Sequence, residues 1–231
     1  MKMAILMKEL KVIYRNKTFI LLKILFSLLY CAIGYGTKAL YEQTGYDLNI
    51  AYYFIFVYSM SLALMMLYVY PISKDITERM NGGLENILAT GYPLKRLILY
   101  KTLGLFLSLY IPAALMVIVI IAWSRLYLAG FLSLLVYLPL INGGIALNYI
   151  CSTMLSVNPA VAMSKLSFYA IAVILVLTYG PVLGYRIGGY SIDMAVSITL
   201  AVLLSFAIVL AAYRKFRKIG IEELIGGAVY L

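Results

Sequence analysis

Histidine is absent from this chain, and cysteine occurs only twice, at Cys31 and Cys151, each inside an apolar stretch. A Cys/His zinc centre and a His-based catalytic triad therefore have no residues to be built from. The two thiols read as small apolar packing groups. Charge is scarce as well, at 12% of residues against 65% apolar, a balance outside the ordinary soluble range. No Gly-x-x-x-x-Gly-Lys-Ser/Thr run is present, so the chain has no loop to cradle the phosphates of ATP. No small-residue cleavage site accompanies the first apolar run, and residues 1–17 ahead of it are amphipathic, so no cleavable signal peptide is expected.

What the chain does have is long uncharged stretches. They fall near 20–40, 50–73, 98–122, 130–156, 166–185 and 194–213. A crossing uses about 20 residues, so the sequence predicts an all-α integral membrane protein with six transmembrane helices in one domain, 1–231, and no separate catalytic domain. The uncharged run from Leu126 to Ser164 exceeds one crossing, and Asn158-Pro159 breaks it, because proline ends helices and biases its predecessor to extended geometry. Asn158-Pro159-Ala160 also matches half of a water-pore signature, but such a pore needs two motifs meeting at the midplane. Pro112, Pro139 and Pro181 lie inside spans and are expected to kink them, with neighbouring groups satisfying the freed carbonyls. Lys23 and Lys38 sit near the ends of the first span, where long stems can reach headgroups.

Residues 1–17 place Met3, Leu6, Met7, Leu10, Ile13 and Tyr14 at helical spacing, with Lys8, Lys11 and Arg15 opposite. That pattern predicts an amphipathic interfacial helix on an anionic leaflet. With six spans, sixteen of the nineteen lysines and arginines share the side of both termini, the 74–97 loop and the 157–165 turn. Only Lys38, Arg125 and Arg186 fall on the other. The positive-inside rule makes the first side cytosolic, giving a multi-pass cell-membrane protein with both termini in the cytosol. These bases flank spans without forming a groove, so they imply membrane lipids or partner subunits and not nucleic acid.

The span interiors contain no Asp, Glu, Lys or Arg at mid-depth. An ion-coupled transporter keeps ionisable groups there despite a cost of about 2.5 to 3.5 kcal/mol or more each, so coupling to an ion gradient is disfavoured. The remaining polarity is Ser59, Ser61, Ser108, Asn142, Asn148, Ser152, Thr153, Thr178 and Ser197. Helix-to-helix hydrogen bonding and backbone bonding are the plain uses of such groups. Asn142-Gly143-Gly144 and Asn148 stand out, because two amides deep in lipid need partners. They are candidates for a translocation pathway or subunit interface. Many of the 22 tyrosines lie near span ends, where amphipathic rings anchor at the interface.

The most polar stretch runs from Lys74 to Lys101. On a helix, Ile76, Met80, Leu84, Ile87 and Leu88 share one side and Glu78 and Glu85 the other. Gly82-Gly83 would hinge that helix. The run Glu78-Arg79-x-x-Gly82-x-Leu84-Glu85-x-Ile87-Leu88-Ala89-Thr90, then Pro93-Leu94-x-Arg96 and Lys101, resembles the loop between the second and third spans of type-2 ABC transporter permeases. Two departures are Gly83, where threonine is common, and an extra Gly91-Tyr92 before the proline. The resemblance extends in layout to six spans, cytosolic termini and the N-terminal helix with Lys8-Glu9-Leu10 and Arg15. It implies an exporter permease subunit that forms the translocation path. Separate ABC ATPase subunits, which bind the ATP and Mg, would dock on a coupling loop at 74–97 through Glu78, Arg79, Gly82, Leu84, Glu85, Leu88 and Pro93. It also implies a second permease copy or a homologous permease. On this reading the chain is not an enzyme and holds no cofactor or metal of its own. The rivals are a secondary transporter or channel, an intramembrane enzyme, for which no convergent acids or nucleophile are visible, and a non-transporting membrane assembly factor. Lipids, hydrophobic drugs, peptides, glycans and ions are all compatible substrates.

The charge distribution predicts a labelling pattern. In a variant lacking Cys31 and Cys151, impermeant thiol reagents should label Cys introduced at Gln43 or Ser191 and leave Cys at Asn81 or Gly220 unmodified. Labelling of position 81 from outside would invert the orientation.

Overall fold

The computed structural model describes residues 2–44, 83–124, 131–155, 161, 164, 168 and 194–220. All regular structure among them is helical. The elements are α1 (Lys2–Arg15), α2 (Lys17–Thr44), α3 (Gly83–Ala89), α4 (Leu94–Ser124), a π-helical segment (Ser133–Tyr137), α5 (Leu138–Leu155) and α6 (Met194–Lys218). The stretches Leu94–Val119 and Ser133–Met154 are long and apolar enough to cross a membrane, and they coincide with the third and fourth expected spans. The second and fifth expected spans, near 50–73 and 166–185, lie outside the described elements.

The helix expected over 1–17 ends at Arg15, and a new one starts at Lys17. Asn16 makes the break, because its short amide side chain caps the next helix. Asn16 Oδ1 accepts the Phe19 N–H at 3.1 Å, and its carbonyl accepts the Ile20 N–H at 3.1 Å. Ile13 and Phe19, on either side of this elbow, are buried in the common core, and α1 and α2 both pack on α4. The fold-back also covers Lys23. Instead of reaching outward to headgroups, its ammonium sits 5.0 Å from the Tyr14 ring centroid and 5.6 Å from that of Phe19, and the residue is 9% exposed. Such a contact contributes about 0.5 to 2 kcal/mol.

Pro112 is absorbed within α4 without a break, whereas Pro139 is preceded by a widened turn. In that turn the Leu138 N–H donates to the Ser133 carbonyl, a five-residue step. The same step from Leu134 leads to Pro139, which has no N–H. The stranded Leu134 carbonyl is satisfied from α4, where the Tyr110 hydroxyl donates to it at 3.1 Å. Tyr110 is itself held by stacking on Phe106, with ring centroids 5.3 Å apart.

These contacts fix the directions of the helices. Tyr110 meets Leu134 while Phe106 lies beside Gly143, so α4 and α5 are antiparallel. Gly144 lies against Ile208 and Val209, and Asn148 and Ser152 against Lys215, so α5 and α6 run parallel. Lys95, Arg96 and Lys101 of α4 therefore share one end of the bundle with Arg214, Lys215, Arg217 and Lys218 of α6. At the level of Gly144 the two backbones almost touch. A Cβ there would lie 2.9 Å from Ile208 Cγ2 and 3.2 Å from the Val209 backbone nitrogen.

Outward faces are largely apolar. On α4 they carry Leu99, Leu103, Ile111, Leu115 and Ile118, and next to α5 Phe131, Leu135 and Val136. On α2 Leu21, Ile24, Leu25, Leu28 and Tyr35 form a stripe at helical spacing. Water-facing helices carry polar residues on that side, whereas these faces suit hydrocarbon.

Two adjacent glycines should respond oppositely. Gly144→Ala forces α6 away and is expected to cost about 1 to 3 kcal/mol. At Gly143 a Cβ meets only Phe106 Cδ2 at 3.9 Å, so Gly143→Ala should be neutral or stabilising by up to about 1 kcal/mol. Tyr110→Phe should cost about 1 to 3 kcal/mol by orphaning the Leu134 carbonyl. Thermal unfolding in detergent ranks the three variants.

Candidate functional site

Two places in the sequence are candidates for function, the loop entering α4 and the amides of α5. In the loop, Glu78, Arg79 and Gly82 lie outside the described residues. Leu84 and Glu85 fall on the backbone of α3, and Leu88 packs partly buried against the core beside Ile87. Asn86, Ala89, Thr90 and Gly91 are exposed. The element is thus a short helix with one side seated on the bundle and another open.

Its exit is built from the Gly91-Tyr92-Pro93 run. Thr90 Oγ1 donates to the Ile87 carbonyl at 2.6 Å, and the Gly91 N–H donates to the Leu88 carbonyl at 2.9 Å, so both bonds close the end of α3. Gly91 has φ of 72°, the left-handed conformation that ends helices and that glycine adopts without a Cβ penalty. The chain then turns Tyr92 inward, leaving it 9% exposed, and Pro93 opens α4. The Pro93 carbonyl accepts the Arg96 N–H at 3.0 Å and the Leu97 N–H at 3.2 Å. Buried Leu94, Leu97 and Ile98 follow at once. The extra Gly91-Tyr92 therefore forms a tight turn between α3 and α4, with Ile87 and Leu88 of α3 set against the core.

The amides of α5 are put to different uses and face different neighbours. Asn142 is fully buried; its Nδ2 donates to the Leu138 carbonyl at 2.9 Å, and its Oδ1 has no hydrogen-bond partner. An unmatched buried acceptor costs about 1 to 3 kcal/mol, which is a concentrated polar demand in the middle of an apolar helix. Asn148 reaches α6. Its Oδ1 accepts from Lys215 Nζ at 2.6 Å and from Ser152 Oγ at 3.3 Å, while Lys215 Nζ also donates to Ser152 Oγ at 2.9 Å. Other polar groups follow the plain use. Ser108 donates to the Leu105 carbonyl, and Thr153 to the carbonyls of Tyr149 and Ile150.

The structure does not bring the loop residues and the amides into one site. Among the described residues, Leu84, Glu85, Leu88 and Pro93 lie at α3 and the start of α4, and Asn142 and Asn148 on α5. Sequence reasoning missed Lys215 as the partner of Asn148, because the two are far apart in sequence, and missed Gly144 as the contact that sets the helix spacing. The only signal available was the Asn-Gly-Gly run itself. Among the described residues no cluster of acids and thiols could hold a metal ion.

The joint at Gly91 yields a prediction. Gly91→Ala meets no steric obstacle, so its cost is conformational, about 1 to 2 kcal/mol. Gly91→Asn should cost less, since asparagine tolerates this conformation. Hydrogen exchange on residues 83–92 should show faster opening of α3 in the alanine variant, with α5 and α6 unchanged.

The chain matches no family model, no curated protein and no solved structure, so its function is argued from its own residues.

Proposed function

We propose that this chain is the membrane-spanning subunit of an ATP-driven exporter, with six crossings, cytosolic termini and its energy supplied by separate ATPase subunits docked on the 74–97 loop. The observation that carries the reading is the joint between α3 and α4. A short helix with an exposed edge is fixed through Gly91, Tyr92 and Pro93 to a helix long and apolar enough to cross a membrane. On this reading a push on α3 from the cytosol passes to α4 through this short turn, and motion of a span driven by a partner needs such a connection.

Three further features support the membrane arrangement. The exposed faces of α4 and of the Ser133–Met154 stretch are aliphatic, as hydrocarbon contact requires. The basic ends of α4 and α6 coincide, in keeping with the positive-inside rule. The parallel run of α5 and α6 is in keeping with a further crossing between them in the chain, as the fifth expected span supposes. The absence of a phosphate loop is in keeping with ATP hydrolysis by a separate chain. A homologous or identical permease completes the translocation path on this reading.

The test is charge reversal at the docking edge. Glu78→Lys and Glu85→Lys subunits, checked for membrane insertion, should retain the co-purifying ATPase at least about tenfold less well than the parent, since a charge-assisted hydrogen bond contributes about 1.5 to 3 kcal/mol. Retention equal to the parent in both variants would falsify the docking role. If Glu78 merely pairs with Lys74 or Arg79 on the surface, the change stays under about 1 kcal/mol.

A further inference from the structure

We propose that Lys215, Asn148 and Ser152 form an anion-binding crevice between α5 and α6, and that its ligand is a phosphate group, carried by an anionic lipid headgroup or free in the cytosol. An ammonium can donate but cannot accept, so the 2.6 Å contact fixes the Asn148 oxygen on Lys215 and turns the amide nitrogen to the opposite branch. Ser152 locks that choice by donating to the same oxygen at 3.3 Å. The Asn148 NH₂ group has no partner among the described residues. Lys215 uses two of its three N–H donors, one on Asn148 and one on Ser152 at 2.9 Å. Unmatched donors of both kinds are therefore held on one seam by a rigid set of contacts.

The charge points the same way. Both partners of Lys215 are neutral, and no carboxylate among the described residues stands against it. The residue is only partly exposed, so solvent compensates its charge incompletely. The partial negative charge at the end of α6 offsets some of it. Arg214, Arg217 and Lys218 of the same terminal turns are exposed and add three more positive charges. An ammonium beside an amide donor, at a basic helix end, suits a phosphate group. Basic recesses between helices at the cytosolic surface are where acidic headgroups bind. The site's chemistry does not depend on an ATPase partner, so it stands or falls separately from the exporter reading.

The alternative is that the trio only clamps α5 to α6. Asn148→Asp separates the two ideas, because a carboxylate strengthens a clamp on Lys215 and repels an anion. The full-length chain, purified in uncharged detergent, is titrated with short-chain phosphatidylglycerol and with phosphatidylcholine of equal chain length, using inorganic phosphate as competitor. The parent should bind phosphatidylglycerol at least about tenfold more tightly than phosphatidylcholine. Asn148→Asp should keep the parent's thermal stability or exceed it while losing at least about tenfold in phosphatidylglycerol affinity. Displacement by millimolar phosphate assigns the site to the free anion, and resistance to it assigns the site to the headgroup; either upholds the crevice. Unchanged phosphatidylglycerol affinity in Asn148→Asp means a clamp only and overturns the proposal. Should that variant fail to fold, Lys215→Gln, which keeps a donor to Asn148 without the charge, carries the same two outcomes.

Discussion

The near-contact between the backbones of α5 and α6 at Gly144 is the constraint on which the rest of this bundle depends. With no Cβ between them, the helices approach closely enough that Val209 and Ile208 press on the α5 backbone. That approach also brings the side chains of Asn148 and Ser152 within reach of Lys215 farther along the same seam. Helix pairs in lipid lack a hydrophobic drive to associate and rely on close packing and interhelical hydrogen bonds. Here one glycine supplies the first and permits the second. The parallel direction of the pair is fixed by the same two contacts.

The second pressure is the need to satisfy every backbone group in a solvent that offers no hydrogen bonds. Pro139 withholds an N–H from the Leu134 carbonyl, the helix widens to accommodate the loss, and Tyr110 from the neighbouring helix completes the bond. The repair ties the start of the Ser133–Leu155 unit to the middle of α4, as Gly144 ties its later half to α6. Between these ties lies Asn142, buried and half-satisfied. At the other extreme of α4 the turn at Gly91 leaves α3 partly seated on the core and partly exposed.

Much of the helical layout was legible in the sequence, because a stretch of apolar residues must be helical if it is to lie in lipid. The expected spans near 98–122 and 130–156 match helical stretches at 94–124 and 131–155 within a few residues at each end. The start at Leu94, ahead of position 98, reflects Lys95 and Arg96, whose charge marks the edge of the apolar run but does not break a helix. Asn16 was not legible as a break, since the amphipathic pattern runs on either side of it and only its capping bond shows the stop. Lys23 was read as a headgroup contact, which is the behaviour of a lysine on an isolated helix; the fold-back of α1 covers it with Tyr14. Pro139 was legible as a site of disturbance, which takes the form of a π-helical turn, but its repair by Tyr110 was not, because no local pattern pairs a tyrosine with a carbonyl on another helix. For the same reason Asn148 could be singled out as a polar group needing a partner, while Lys215 could not be named as that partner.

Under the proposed function, a partner ATPase would meet a surface of only a few residues on α3. Asn86 lies on the exposed part of that helix. A photo-crosslinking amino acid placed at position 86 and activated in native membranes tests the link directly. The account predicts a crosslink to a second polypeptide that carries a phosphate-binding loop and hydrolyses ATP. Crosslinks confined to lipid or to other copies of this chain would contradict it.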